Sequence, residues 1–414
     1  MKTFYHLIAA FLLSFYCVNG SAQTAPKIIW GHQYGSAGAE YVHNHLTDSH
    51  GNIYVSGNTT GSLGGDNRGM NDGFIVKTDS KGNVLWKVQF GTVGNEDVQW
   101  SAIDRNGNIY VTGSTTGDMA GKSHGREDIF VVKYSSGGKQ MWCRQFGTDS
   151  TDVARGIYVD EKECIYLAGV TSGKLGTHLQ GGMDGFVMKL NAAGEVLFTT
   201  QIGTEGYDGC DAITGDGKGN IYVCGTTFGK LGAESRGMLD VFAATVDEKG
   251  TVKRTIQFGT PSFDVATSVM ADSAGNLYVG GSTAGDFAGT QAGEGDCFLT
   301  KIGMDGSLLW SKQFGTAKND GVKAIVEDRK HGNILVSGLM NLPPARAFVR
   351  MYTKDGTLLW EKIIAPENTD GDASGKDVSV DDRGNIIHVG LTQWQLFDKQ
   401  QGESDFYIVK MTGH

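Results

Sequence analysis

Residues 51–57 read GNIYVSG. The stretch returns as GNIYVTG at 107–113, ECIYLAG at 163–169, GNIYVCG at 219–225, GNLYVGG at 275–281, GNILVSG at 332–338 and GNIIHVG at 384–390. The third residue of each copy is Ile53, Ile109, Ile165, Ile221, Leu277, Ile334 and Ile386, so the steps are 56, 56, 56, 56, 57 and 52. A fixed period of this length marks a repeat architecture. The 392 residues after position 22 of this 414-residue chain divide into seven units of 56.

Each unit reads as four short strands, a to d. Strand a runs from an acid to an Asp, as in Asp152 to Asp160, and strand b is the quoted segment. Strand c reads like DGFIVK at 72–77, and strand d like NVLWKVQFG at 83–91. Alternation of apolar and polar residues, with β-branched and aromatic side chains, argues strands rather than helices. Asp-x-x-Gly joins a to b at Asp48–Gly51, Asp104–Gly107, Asp216–Gly219 and Asp272–Gly275. There the Asp closes an Asx-type turn and Gly takes the left-handed position.

Seven four-stranded units around an axis make an all-β, seven-bladed β-propeller of antiparallel blades. The ends of the chain sharpen this expectation. IIWGHQYG at 28–35 matches strand d, and DFYIVKM at 405–411 matches strand c. The last unit therefore lacks a strand d and the first residues carry a spare one. Pairing them closes the ring and removes a free sheet edge. The period, the turns and the D-x-x-GNIYVxG motif resemble the seven-bladed β-propeller (SBBP) repeat family of bacterial exported proteins, over about 27–411. That resemblance implies the fold and is silent about activity.

Residues 1–22 read as a secretory leader. Lys2 supplies the positive start, Leu7 to Val18 is a mostly apolar run of 12 residues, and Gly20-Ser21-Ala22 offers a cleavage site. Tyr16 before Cys17 argues against lipidation. Residues 23–414 are expected to form one propeller, exported to the periplasm or the cell exterior and monomeric. No later segment reaches the roughly 18 apolar residues of a membrane helix. The net charge of −10 gives no footprint for nucleic acid. Gly is abundant at 62 residues, but Pro at 5 and the lack of a Gly-X-Y period exclude collagen. Cys143, Cys164, Cys210, Cys224 and Cys297 remain after the leader, an odd number without Cys-x-x-Cys spacing. Buried free thiols are expected, with a Cys210–Cys224 bridge as the alternative.

An acid opens each strand a: Glu40, Glu96, Asp152, Asp208, Asp264, Asp320 and Asp372. Such a ring near the channel mouth is too repulsive to stand bare. Either each carboxylate accepts hydrogen bonds in its own blade, which is the favoured reading, or the mouth holds a cation, for which calcium is the choice. No other cofactor is implied. A second acid heads strand c at Asp72, Asp128, Asp184, Asp240, Asp296 and Asp405, with Arg346 in unit six. It reads as a loop brace. The strand-d aromatics Trp30, Trp86, Trp142, Trp310 and Trp360 read as packing between blades.

Positions that vary among otherwise alike blades point to function. Inside strand a these are His43, Gln99, Arg155, Asp211, Thr267, Lys323 and Lys376, with Trp100 beside Gln99. Together with Trp394 in an atypical last loop, they are the candidate ligand or partner contacts. His43 and His45 are a weaker metal candidate. The long b–c loops place function on their own face rather than on that of the short turns. No Gly-x-Ser-x-Gly elbow, P-loop or His-Glu-x-x-His motif is present. The expected function is therefore a binding or scaffold module for a protein or glycan. The alternative is an enzyme, a lyase or glycan-active hydrolase, with a site at the channel mouth; that rests on fold analogy.

Overall fold

Strands b and c carry near-continuous apolar runs because both of their faces are covered. In the first blade, Ile53–Thr59 and Asp72–Thr78 are buried throughout. Their outer neighbour Val84–Phe90 exposes its first residues, and their inner neighbour Glu40–Thr47 alternates. The computed structural model describes residues 24–176, 179–232, 235–365 and 371–413, and the expected leader lies outside them. Among the described residues there are seven four-stranded antiparallel sheets and no helix.

The inner strands are Glu40–Thr47, Glu96–Ile103, Asp152–Val159, Asp208–Gly215, Asp264–Ala271, Gly321–Asp328 and Ala373–Val380. Each packs on the next, and the seventh packs on the first, so the sheets stand in a closed ring. The apolar clusters lie between blades: Val42, Ile53, Phe74 and Val76 of blade 1 meet Ile387, Phe406 and Ile408 of blade 7. Ring closure follows the expectation. Ile28–Tyr34 pairs antiparallel with Asp405–Met411, setting Trp30 opposite Lys410 and Tyr34 opposite Phe406. The Tyr34 and Phe406 rings stack at 5.1 Å.

The turn chemistry is as read. Asp48 Oδ1 accepts the N–H groups of His50 and Asn52, and Gly51 sits at φ +78°. Blade 3 lacks that glycine, and Glu163 takes the left-handed conformation at φ 60° instead. The five cysteines are free thiols. Cys210 lies opposite Gly225 and Cys224 opposite Ala212, so the register keeps the two apart. Burial pushes the Cys143 thiol up to about 11.

Candidate functional site

The variable position of strand a turns out to be a structural device. In every a–b hairpin the register slips by one residue in mid-strand, and the skipped residue is His43, Gln99, Arg155, Asp211, Thr267, Lys323 or Lys376. A β-bulge leaves its extra residue unpaired and re-aims its side chain. All seven are half-buried at the centre of the ring. The bulge also separates His43 from His45, because strict alternation fails there. His45 turns into the seam with blade 7, where its Nε2 is 2.6 Å from Ser379 Oγ and its backbone N–H donates to Asp377 at 2.9 Å. Its Nδ1 is 2.9 Å from Asp377 Oδ2 but out of line for a hydrogen bond. With the imidazole sealed from solvent, this Asp377–His45–Ser379 group is a seam clamp rather than a nucleophile relay. Asn44 makes the same clamp to the next blade, its Oδ1 accepting the Ser101 N–H at 3.0 Å.

Two bulge residues of successive blades form an ion pair in the channel. Arg155 Nη1 donates to Asp211 Oδ1 at 2.5 Å and to Tyr207 Oη at 3.0 Å, while Thr226 Oγ1 donates to Asp211 Oδ2 at 2.8 Å. Burial pushes the Asp211 carboxyl above its usual range against the pull of Arg155. Gln99 Nε2 donates to Asp97 Oδ2 at 2.5 Å. Thr267 Oγ1 donates to the Val322 carbonyl of the next blade at 2.6 Å. Trp100, expected beside this group, instead packs into the apolar cluster between blades 2 and 3, because the position after the bulge faces the neighbouring sheet.

The opening acids do not line the mouth. Glu40, Glu96, Asp152, Asp208, Asp264 and Asp320 are buried. Asp152 accepts the Thr148 N–H at 2.6 Å, Thr148 Oγ1 at 2.8 Å and Thr171 Oγ1 at 2.5 Å. Glu96 and Asp264 repeat that pattern with Thr92 and Thr115, and with Thr260 and Thr283. Each carboxylate thus ties the d–a turn of its own blade. Asp372 is a correction: the seventh strand begins one residue later, so Ala373 faces Thr392 where Glu40 faces Thr59. The Asp372 side chain accepts the Ala345 N–H instead. Among the described residues no three His, Cys, Asp or Glu side chains are grouped to hold a metal ion.

Sequence reasoning missed the partner of the strand-c acid. Gln89 Nε2 donates to Asp72 at 3.0 Å and its Oε1 accepts the N–H groups of Leu63 and Gly64, so the long b–c loop winds around one amide. Gln145, Gln201, Gln257 and Gln313 bind Asp128, Asp184, Asp240 and Asp296 alike. Their recurrence at the repeat period was the available signal. The glycine after strand d makes room for this grouping. A Cβ on Gly91 would lie 2.4 Å from Asp72 Oδ1 and 2.5 Å from Glu96 Oε2.

The long-loop face carries an apolar patch at blades 4 and 5. Where blades 1 and 2 have Thr60 and Thr116, each accepting a backbone N–H at 2.8 Å, blade 4 has Phe228. Where they have Ala39 and Asn95, blades 4 and 5 have Tyr207 and Phe263. Phe228, Met238 and Phe263 are 48%, 55% and 43% exposed. Tyr207 meets Phe228 edge-on at 6.2 Å and joins the patch to the Arg155–Asp211 pair. Trp394 is exposed on the last loop, whereas Phe397 packs on Tyr407 at 5.9 Å.

The short-turn face is not uniform, although its turns are stereotyped. A cleft of about 840 Å³ opens there along the seam of blades 4 and 5, lined by Tyr222, Thr245, Arg254 and Met304 among others and reaching Glu161 of blade 3 and Glu327 of blade 6. At the seams of blades 5 and 6 and of blades 1 and 2 a strand-c lysine and a strand-d tryptophan bridge the gap. Lys301 Nζ and Trp310 Nε1 both donate to the Lys354 carbonyl, at 3.0 and 3.1 Å, and Lys77 and Trp86 do so to Ser136. Blade 4 has Thr245 and Arg254 at these positions, and Arg254 alone reaches the Met304 carbonyl.

The beta-propeller repeat (SBBP) family model matches residues 29–64, 85–118, 197–231 and 254–288. The chain is 31% identical to the regulatory protein FlaEY of Caulobacter vibrioides, over 36% of this chain and 18% of that protein. It is 21% identical to the uncharacterized WD repeat-containing protein L264 of Acanthamoeba polyphaga mimivirus, over 89% of this chain and 36% of that one. The chain therefore spans well under half the length of both relatives. A crystal structure of a protein of unknown function from Bacteroides caccae superposes with a TM-score of 0.42 at 11% identity, covering 70% of this chain and 89% of the other. With four segments that match the beta-propeller repeat model and seven blades in the ring, the chain is a seven-bladed beta-propeller repeat protein.

Proposed function

We propose that this protein is an exported binding or scaffold module that engages a protein or glycan partner through its long-loop face at blades 4 and 5. The patch of Tyr207, Phe228, Met238 and Phe263 carries the reading. Blade 4 gives up the hydroxyl at its loop start and displays an aromatic ring in its place. Exposed apolar side chains grouped in this way, beside a hydrogen-bonded arginine, match the anchors of recognition surfaces. Aromatic faces of this kind stack on sugar rings and pack against apolar side chains alike.

The test compares the wild type with a Phe228→Ala/Phe263→Ala variant, using a glycan array and cross-linked capture of envelope and secreted proteins, with affinities measured for each ligand found. The variant is expected to lose at least tenfold in affinity while melting within a few degrees of the wild type, since both rings are substantially exposed. Undiminished binding by the variant, or cross-links that map to the short-turn face, would contradict the proposal.

A further inference from the structure

Lys323, Lys376 and His43 are the bulge residues of blades 6, 7 and 1, three successive members of the ring. Their strands pack side by side, so the three side chains share one sector of the channel. Other charges at the channel have partners. Arg155 pairs with Asp211, and Asp97 accepts from Asn58 Nδ2 at 2.9 Å and from Gln99 Nε2 at 2.5 Å. Among the described residues, Lys323 and Lys376 have neither a hydrogen bond nor an ion pair. They stand instead within electrostatic reach of one another. Burial and the neighbouring Lys323 bring Lys376 down to about 8, and burial with the two lysines brings His43 to about 4 against the pull of Asp97.

Partly removing one charge from water without a counter-charge is costly, and removing two of like sign is worse. Elsewhere in the channel the chain meets a charge with a counter-charge, as for Arg155 and Asp211, or with amide donors, as for Asp97. In this sector it supplies two point-like ammonium groups and a neutral imidazole with one N–H to give. We propose that the channel sector between blades 6, 7 and 1 is a binding site for one small oxyanion, held by Lys323 and Lys376 with His43 donating a hydrogen bond. The shared chemistry is a compact group with two or more anionic oxygens, met either in a phosphate- or sulfate-class ion or in a polycarboxylate. Ammonium groups serve such ligands as non-directional charges, and the enclosed position strengthens the attraction. The site is separate from the aromatic patch and stands or falls independently of it.

The protein is titrated calorimetrically at pH 7 with sodium phosphate, sodium sulfate and sodium citrate, each against sodium chloride at equal ionic strength. At least one of the three should bind at one site per chain and raise the melting temperature above the chloride control. Phosphate and sulfate binding without citrate assigns the mineral class, and citrate alone assigns the carboxylate class. Lys323→Met and Lys376→Met should each weaken binding at least tenfold, and the double variant should melt above the anion-free wild type. Three anions indistinguishable from chloride, or full affinity in the double variant, overturns the proposal. Should the variants misfold, acetic anhydride labelling of the native protein decides. The anion must protect Lys323 and Lys376 while exposed Lys81 and Lys139 stay reactive, and equal labelling with and without it overturns the site.

Discussion

Gln33 Nε2 donates to Asp405 Oδ2 at 2.8 Å across 372 residues of sequence. The same Gln–Asp bond holds strand d to strand c inside blades 1 to 5, and here it joins the opening strand to the last blade. Gln33 also accepts the Leu396 N–H at 2.9 Å and donates to the Trp394 carbonyl at 3.0 Å, so the final long loop winds on it as the others do on their own glutamines. Ring closure is therefore a repeat of the blade chemistry.

Gln33→Ala and Gln89→Ala should destabilise alike, by about 1–3 kcal/mol each, because both leave a buried carboxylate and loop N–H groups short of partners. Urea denaturation of the two variants measures this. Deleting Ile28–Tyr34 should do more, leaving Asp405–Met411 as a bare apolar edge and producing association at micromolar concentration, read by light scattering.

The seam of blades 4 and 5 should accept the bridge that the seams of blades 5 and 6 and of blades 1 and 2 carry. Thr245→Lys with Arg254→Trp places an ammonium over Tyr222 and two donors at the Met304 carbonyl, as Lys301 and Trp310 do over Tyr278 and at Lys354. A gain of about 0.5–2 kcal/mol is expected in denaturant titration. No gain would mean that the cleft has another origin.

Lys376 makes stability depend on alkaline pH. Its folded-state pKa of about 8 lies below the ordinary 10.5, so folding releases its proton in that interval. The destabilisation is full below pH 8 and is relieved as pH rises through it. The groups that face it are Lys323 and His43, with Asp97 acting on His43 and Cys297 on Lys323. In chloride at pH 7, Lys376→Met should be more stable than the wild type by about 1–3 kcal/mol, and the difference should shrink by pH 9.5. A constant difference across that range would place the cost elsewhere.

The opening acids predict indifference to calcium. Asp152 already accepts three protein hydrogen bonds. Calcium should therefore raise the melting temperature no more than sodium at equal ionic strength. Thr148→Val, which removes one of the donors to Asp152, should cost about 1–2 kcal/mol.

The blade count, the four strands per blade, the Asx turns and the closing strand were all legible in the sequence, because each is set by local alternation and turn chemistry copied at a fixed period. The glutamines were legible as a recurrence but not as a role, since their bonds reach 17 residues back to an acid on another strand. Three features belonged to the tertiary structure alone. The bulge re-aims the variable residues and parts His43 from His45, and alternation gives no warning of it. The late start of the seventh inner strand moves Asp372 out of the acid position. The cleft and the lysine sector depend on residues of successive blades meeting across a seam, and the patch on loop residues of blades 4 and 5 brought to one face, where what a side chain can do is decided by neighbours distant in sequence.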